Sequence, residues 1–518
     1  TDYLQNSARG SLILMIGQIS STIITALAMI LIVRVLGATN YGQFTIAMIP
    51  INIAGIFLDL GVNSALIKYI AQYRSEGRTN EAVIFLKAGL TIDVLVGFFL
   101  TILVFLLSGF LATQVFHQPE IRVLIQVSSL NLVAMSLLNT AKSIFIGYER
   151  MKLVSLLVII QSIIKSIFAP LLVFFGFGVI GAAAGHTTSI LVAGLVGIGI
   201  ILFTYVKQKK EVEKTTYIME ASKKLLSYGV PLFLSILLNG VILQIYNFLM
   251  ALNVTPSDVG NYQAATNFPM IIAFFTIPIS TVLFPLFSKI PKNDNGQLEK
   301  VYKNAVKYSA LITIPITSVL ILLSDPIVHI VFGNDYRYTP YYLRLVCIPF
   351  LLIGLGYQIN GGLLNGQGKT RPQFISSVLV FIIGLPLSLY LIPLMGVTGL
   401  LITMNIATLT GVLYILFWIS RNFDFLLDWK SSGKIYLSSA IAFAPINLIL
   451  PTLYLKDWPQ LFLGGTAYAV IYLIMIMLFK TLTISDVTNL RRILSSTGPL
   501  QPFFNLFLTI IEKTQART

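Results

Sequence analysis

Residues 33–50 read VRVLGATNYGQFTIAMIP, and residues 253–270 read NVTPSDVGNYQAATNFPM. Each follows a long apolar run, breaks it with a polar patch, sets down Gly-x-aromatic, and resumes an apolar run that reaches Pro or Asn-Phe-Pro. The surroundings of both stretches set the class of protein. The chain of 518 residues is 56% hydrophobic and only 11% charged, with a mean hydropathy of +0.85. A soluble chain carries about 25% charged residues. Here the sequence falls into successive apolar stretches of about 20 residues, each long enough to cross a hydrocarbon core of roughly 30 Å. In lipid the backbone has to satisfy its own hydrogen bonds, and uninterrupted apolar runs do so as helices. The reading is an all-α polytopic membrane protein.

The spans are expected near 10–35, 43–66, 83–107, 122–146, 153–175 and 179–206, then 225–252, 260–287, 305–324, 341–364, 372–393 and 397–420, and finally 435–455 and 460–480, about 14 transmembrane helices. Only GFG separates spans 5 and 6, and LMG spans 11 and 12, which predicts tight hairpins. The first apolar run is too long for a signal-peptide core of about 7–15 residues and is read as a retained helix. The single cysteine, Cys347, rules out a disulfide within the chain. Lysine and arginine collect in alternate loops, with Lys68, Arg74 and Arg78 in the first and KQKKEVEK between spans 6 and 7, whereas the opposite loops hold little more than Arg122, Arg337 and Lys456. By the positive-inside rule both termini are expected in the cytoplasm of a multi-pass protein of the cell membrane. The net charge of +15 then meets anionic lipid headgroups rather than nucleic acid.

The repeated punctuation holds a register. Gly42 and Gly260 lie 218 residues apart (260 − 42), Gly147 and Gly366 lie 219 apart (366 − 147), and Gly178 and Gly396 lie 218 apart (396 − 178). VFHQPEIRVL and VFGNDYRYTPYYLRL occupy equivalent outer loops. The chain is therefore expected to hold two parallel six-helix repeats: a lobe at 1–206, a cytoplasmic linker at 207–224, and a second lobe at 225–420. An extra helix pair at 435–480 and a cytoplasmic amphipathic tail at 481–518 follow. Each copy has an even number of spans, so the copies share one orientation, and sites in such proteins lie near the repeat interface.

This pattern resembles the multidrug/oligosaccharidyl-lipid/polysaccharide exporter superfamily. Arg34-Val-Leu-Gly-Ala-Thr-Asn-Tyr-Gly-Gln-Phe is similar to the first-hairpin signature of its polysaccharide-synthesis branch, the Wzx-type flippases, and LDLGVNSALIKYIAQY at 58–73, GYERMKLVSLL and FGNDYRYTPYYLRLVC fit the same branch. The resemblance covers essentially the whole chain. It implies alternating access by two lobes that carry a polyprenyl-(pyro)phosphate-linked oligosaccharide across the cell membrane for polysaccharide or glycoconjugate synthesis. On the same fold stand two alternatives, a cation-coupled (H+ or Na+) multidrug or small-molecule antiporter and a lipid II flippase. A polysaccharide polymerase or glycosyltransferase is a possible partner, and the chain is expected to work as a monomer.

Ionisable groups inside spans are expensive and mark cavities or partners. Lys165, in QSIIKSIFAPLL, lies near the middle of span 5, where it either meets the pyrophosphate or pairs with Asp93 or Asp59. Those two acids are the ones expected well inside the first lobe, as ion-coupling groups or as structural partners. Arg34 is an interfacial anchor or a contact at the outer cavity mouth, and Arg344, beside Tyr341 and Tyr342, is a candidate lining residue of the second lobe. Lys142 is read as a snorkelling residue and His186 as a packed one, while His329 is given no role. Gln18, Ser21, Thr22 and Thr25 form a polar row on span 1, as do Asn239, Gln244 and Asn247 on span 7. Such rows serve either sugar binding or helix–helix adhesion. Pro231 in span 7 and Pro269, Pro278 and Pro285 in span 8 permit bending. No phosphate-binding Gly-x-x-x-x-Gly-Lys-Ser/Thr loop, Gly-x-Ser-x-Gly elbow or metal-spaced His/Cys cluster occurs. A non-enzymatic transporter without cofactor or metal is expected.

Overall fold

A computed structural model of the chain describes residues 2–206, 215–291, 294–423, 427–482 and 486. These residues form helices α1 (Asp2–Ile56), α2 (Val62–Ser75), α3 (Thr79–Phe110), α4 (Arg122–Gly147), α5 (Met151–Leu172), α6 (Gly178–Ile201), α7 (Thr215–Asn253) and α8 (Pro256–Ala265). They continue as α9 (Pro269–Lys289), α10 (Asn295–Leu322), α11 (Ser324–Phe332), α12 (Thr339–Leu351), α13 (Asn360–Gly366), α14 (Thr370–Met395), α15 (Val397–Asn422), α16 (Trp429–Ile449) and α17 (Asp457–Leu478). Among the described residues nine helical stretches are long and apolar enough to cross a membrane, and α12 with α13, bent by 49°, makes a tenth. Two of the nine each run through two predicted spans, Ser20–Ile56 and Met151–Tyr205.

The helices are apolar on the outside and polar within, as a bilayer demands. On α3, Phe98, Phe99 and Leu106 are exposed, whereas Asp93, Thr101 and Ser108 are buried. Small residues at the seams let backbones approach and hydroxyls bond across. A Cβ on Gly97 of α3 would stand 2.7 Å from Cβ of Ser136 on α4, and Ser136 Oγ donates to the backbone carbonyl of Asp93 at 2.5 Å.

Glycine also sets the turns. Gly37 (φ 73°, ψ 169°) divides α1 into two arms in a conformation that only glycine adopts readily. Gly176 and Gly178, both at positive φ, close the expected hairpin between α5 and α6, and Gly396 closes the one between α14 and α15. Three predicted spans are broken. Span 2 is interrupted at 57–61, so Asp59 lies in that break and not inside a helix, where it accepts a hydrogen bond from the Asn63 amide at 3.1 Å. Span 8 divides into α8 and α9, with Pro269 in the first turn of α9, where its missing N–H costs nothing. Span 10 bends at Gly356, which has φ 81°.

Two compact units emerge, residues 1–263 with 392–397, and residues 264–391 with 398–518. The first unit extends past the expected linker, because α7 packs on α1, α2 and α3. A Cβ on Gly229 of α7 would lie 2.7 Å from the carbonyl carbon of Gly61, so only two glycines allow this crossing. Helix α7 begins at Thr215, within the expected linker, while 207–214 lie outside the described residues, as does most of the expected amphipathic tail.

In the second unit α10 packs on α9, α12 and α16, and α17 packs on α16 and α11. The extra helix pair is thus part of that unit's core. Ser318 of α10 shares a hydrogen bond of 2.8 Å with Ser439 of α16, which is 2.7 Å from the hydroxyl of Tyr468 on α17. Lys307 Nζ of α10 lies 2.5 Å from Asp486 Oδ2, and Tyr308 donates to Oδ1 at 2.8 Å, a buried ion pair that ties the chain beyond α17 back to α10.

Candidate functional site

The two signature stretches that open the sequence meet each other inside the first unit. A Cβ on Gly42 would strike the carbonyl of Pro256 and come within 3.0 Å of the Gly260 nitrogen. A Cβ on Gly260 would strike the carbonyl of Ala38 and come within 3.0 Å of the Gly42 nitrogen. Ala38 and Pro256 are themselves 218 residues apart (256 − 38). The contact is therefore isologous, with each copy of the repeat offering the same two positions. Ala38 opens the second arm of α1 and Pro256 opens α8, so the first turns of two equivalent helices cross where Gly42 and Gly260 let the backbones close.

One turn beyond each glycine, at the equivalent positions Thr45 and Gln263, side chains turn into a cavity of about 190 Å3. Its wall is completed by both arms of α1, by Lys165 of α5, His186 of α6 and Asn247 of α7. Backbone packing fixes these side chains. Helices α5 and α6 touch where a Cβ on Gly185 would lie 2.6 Å from the Ala169 nitrogen, one turn past Lys165 and beside His186. Helix α5 is pinned to α1 by a hydrogen bond between the hydroxyls of Ser21 and Ser162, and by Ser166 donating to the Ile24 carbonyl at 3.1 Å. The His186 ring meets Phe44 edge-on at 6.3 Å, and its Nδ1 is buried without a hydrogen-bond partner among the described residues.

Lys165 makes no hydrogen bond or ion pair among the described residues; in particular, neither Asp93 nor Asp59 pairs with it. An ammonium on a cavity wall with amides, a hydroxyl and an imidazole around it suits an anion that also carries hydroxyl groups. The other candidates lie elsewhere. Arg34 is exposed on the first arm of α1 and is not among the residues that line the cavity. Gln18 is exposed, and its backbone carbonyl accepts the Thr22 hydroxyl at 2.8 Å. Gln244 is half-buried with Oε1 unpartnered among the described residues, and is not a lining residue. The side chains of Asn239, Pro278 and Pro285 lie outside the described set. In the second unit Arg344 is ion-paired with Asp325 and donates to Ser324 Oγ at 2.7 Å, which joins α12 to the start of α11. His329 Nδ1 stands 3.4 Å from Asp457 Oδ1.

Sequence reasoning named Lys165 and Asn247 but missed Asn52, Thr45 and Gln263. The 218-residue offset carried a usable signal for the last two, which follow Gly42 and Gly260 by three residues each. Among the described residues no group of His, Cys, Asp or Glu side chains has the geometry of a metal site.

A family model described as "Polysaccharide biosynthesis protein" matches residues 7–291, and one described as "Lipid II flippase MurJ" matches residues 202–471. The chain is 22% identical over 491 residues to a protein of Haloferax volcanii named "Probable low-salt glycan biosynthesis flippase Agl15", covering 94% of this chain and 99% of that one. Its fold is similar to a solved structure of the lipid II flippase MurJ in an inward closed conformation, with a TM-score of 0.72, 17% identity and coverage of 90% and 98%. It is also similar to an inward-facing multidrug transporter of the MATE family, at a TM-score of 0.62, 18% identity and coverage of 78% and 94%.

Proposed function

The chain belongs to the polysaccharide biosynthesis protein family, within the multidrug/oligosaccharidyl-lipid/polysaccharide exporter superfamily, and from that membership we propose that it is a flippase for polyprenyl-(pyro)phosphate-linked oligosaccharide. The substrate crosses the cell membrane by alternating access of the two six-helix copies, with both termini cytoplasmic, the chain acting as a monomer and a polymerase or glycosyltransferase receiving the product. The observation that carries this reading is Lys165 on the cavity wall, without an ion-pair partner among the described residues and beside His186, Asn247 and Gln263. At an effective dielectric near 20, an ammonium about 4 Å from a phosphate charge gains about 4 kcal/mol. The amides and the Thr45 hydroxyl offer donors and acceptors to sugar hydroxyls. A cationic drug would be repelled by the same ammonium, which disfavours the cation-coupled antiporter.

Lipid II presents the same pyrophosphate-saccharide chemistry, and the match of residues 202–471 to the lipid II flippase model keeps it as the second reading. The test is transfer between leaflets of a fluorescent polyprenyl-pyrophosphate oligosaccharide in liposomes holding the purified protein. Lys165→Ala is run beside the unaltered chain, and unlabelled lipid II is added as competitor. Transfer that falls in the variant, with the fold intact, supports the flippase and its cationic wall. Full competition by lipid II moves the assignment to the second reading. No transfer by the unaltered protein, together with extrusion of a small organic cation, overturns both.

A further inference from the structure

Asp93 lies midway along α3 and is 2% exposed. One side-chain hydroxyl reaches its carboxyl group. Thr140 Oγ1, on α4, is 2.5 Å from Asp93 Oδ2 and 2.8 Å from the backbone carbonyl of Ser136. Asp93 Oδ1 is buried and has no partner among the described residues.

The hydrogens can be counted. A threonine hydroxyl carries one proton and two acceptor lone pairs. If the carboxylate is ionised, Oδ2 and the Ser136 carbonyl compete for that single proton, and one acceptor goes short. The charge also lacks a counter-ion, because Asp93 makes no ion pair among the described residues. The elements packed on α3 carry Arg34 on α1, Lys68 and Arg74 on α2, Arg122 and Lys142 on α4, Glu220, Lys223 and Lys224 on α7, and Asp59 in the break ahead of α2. Of these, Asp59 and Glu220 have the same sign as an ionised Asp93. Lys68 is turned to the Tyr228 ring, 3.9 Å from its centroid. If the carboxyl is protonated, each of the two protons has an acceptor of its own. Asp93 Oδ2–H donates to Thr140 Oγ1, and Thr140 donates in turn to the Ser136 carbonyl. Only a neutral carbonyl oxygen is left bare, which costs far less than a bare carboxylate in a buried seam.

We propose that Asp93 is a proton-binding site, a carboxylic acid whose proton completes the chain from Asp93 through Thr140 to Ser136 and so fastens α3 to α4. Release of that proton to solvent removes the first link and puts an uncompensated charge where Gly97 and Ser136 hold the two backbones together. Proton release and loosening of this seam are one event, and the acid lies apart from the residues that line the cavity.

The test is infrared spectroscopy of the full chain in lipid near neutral pH, in water and in deuterium oxide. Unaltered protein is expected to show the C=O stretch of a protonated carboxyl that shifts on deuteration, and Asp93→Asn is expected to lose that band. The asparagine amide can donate to Thr140 as the acid does, so this variant keeps the seam. Should it fail to fold, Thr140→Val is expected to retain the band and move it to the higher frequency of a carboxyl without a hydrogen-bond acceptor. Absence of the band in the unaltered protein, its persistence in Asp93→Asn, or no movement in Thr140→Val overturns the proposal. The readout needs no transported substrate, so it is independent of the flippase reading.

Discussion

Asp93 and Lys165 stand well inside two apolar helices of one compact unit, α3 and α5, and from sequence they pass for partners. The fold treats them oppositely. Asp93 faces a seam closed by Gly97 and Ser136, and its carboxyl group has one side-chain hydrogen bond among the described residues, to a threonine hydroxyl. Lys165 faces a cavity of about 190 Å3 and makes no ion pair among the described residues. A buried ionisable group is tolerable when it is neutralised or when a ligand completes it. The proposed proton would set the acid on the first course, and the proposed anionic substrate the lysine on the second. Lys307 in the other unit shows a third course, a buried ion pair with Asp486.

The comparison can be broken in several places. Asp486→Asn leaves Lys307 buried against a neutral amide, so a loss of about 3 kcal/mol or more is expected in thermal or denaturant unfolding in detergent. An unchanged midpoint would mean that burial of a lone ammonium is cheap in this fold, and Lys165 would lose its distinction. Lys165→Ala is expected to slow leaflet transfer about ten- to a hundredfold, the scale of losing a hydrogen bond to a charged group, with little change in stability. A large loss of stability instead would mark Lys165 as a structural residue.

Gly42→Ala pushes a methyl group into the backbone of α8 and is expected to cost about 1–3 kcal/mol. Gly55→Ala, in the same arm of α1 and with open space around it, is expected to be neutral or slightly stabilising. Equal effects would deny that the crossing of the two signature turns is tight. Thr140→Val strips Asp93 Oδ2 of its hydrogen bond with the Thr140 hydroxyl and is expected to cost about 1–3 kcal/mol.

The smallest effect concerns Asp428, which caps α16 by accepting the Ser431 amide at 3.0 Å. Burial pushes its carboxyl up, but the hydrogen bonds from Ser431 and the nearby Lys307 and Lys303 outweigh it, so the net shift is downward. A carboxyl with a lowered folded-state value stabilises above its unfolded value, and the contribution is lost as pH falls through the folded one. Asp428→Ala is therefore expected to cost about 1 kcal/mol near neutral pH. The difference from the unaltered protein should begin to shrink below about pH 4 and vanish once the pH is below the lowered folded-state value. A difference that persists in acid would assign the effect to packing.

Much of the site lay out of reach of the sequence for one physical reason. A run of apolar residues fixes that a helix forms, but the partner of each side chain depends on how that helix is rotated against its neighbours. Arg344 is spent on Asp325, nineteen residues away (344 − 325), because α11 turns back beside α12. Asp59 falls in a break that hydropathy alone runs straight through. Asn52 shares a cavity with Lys165 because Gly37 bends α1, so that both arms face the same space.

By itself the sequence determined the all-helical membrane class, the 218-residue spacing of its glycine punctuation and the glycine hairpins. All of these follow from local composition and spacing, which lipid and backbone hydrogen bonding convert directly into helices and turns. Only the tertiary structure decided that equivalent glycines of the two copies touch, that α7 joins the first unit, and that Asp93 and Lys165 never pair. Each of these depends on distances between residues far apart in the chain, set by which small side chains let two backbones close.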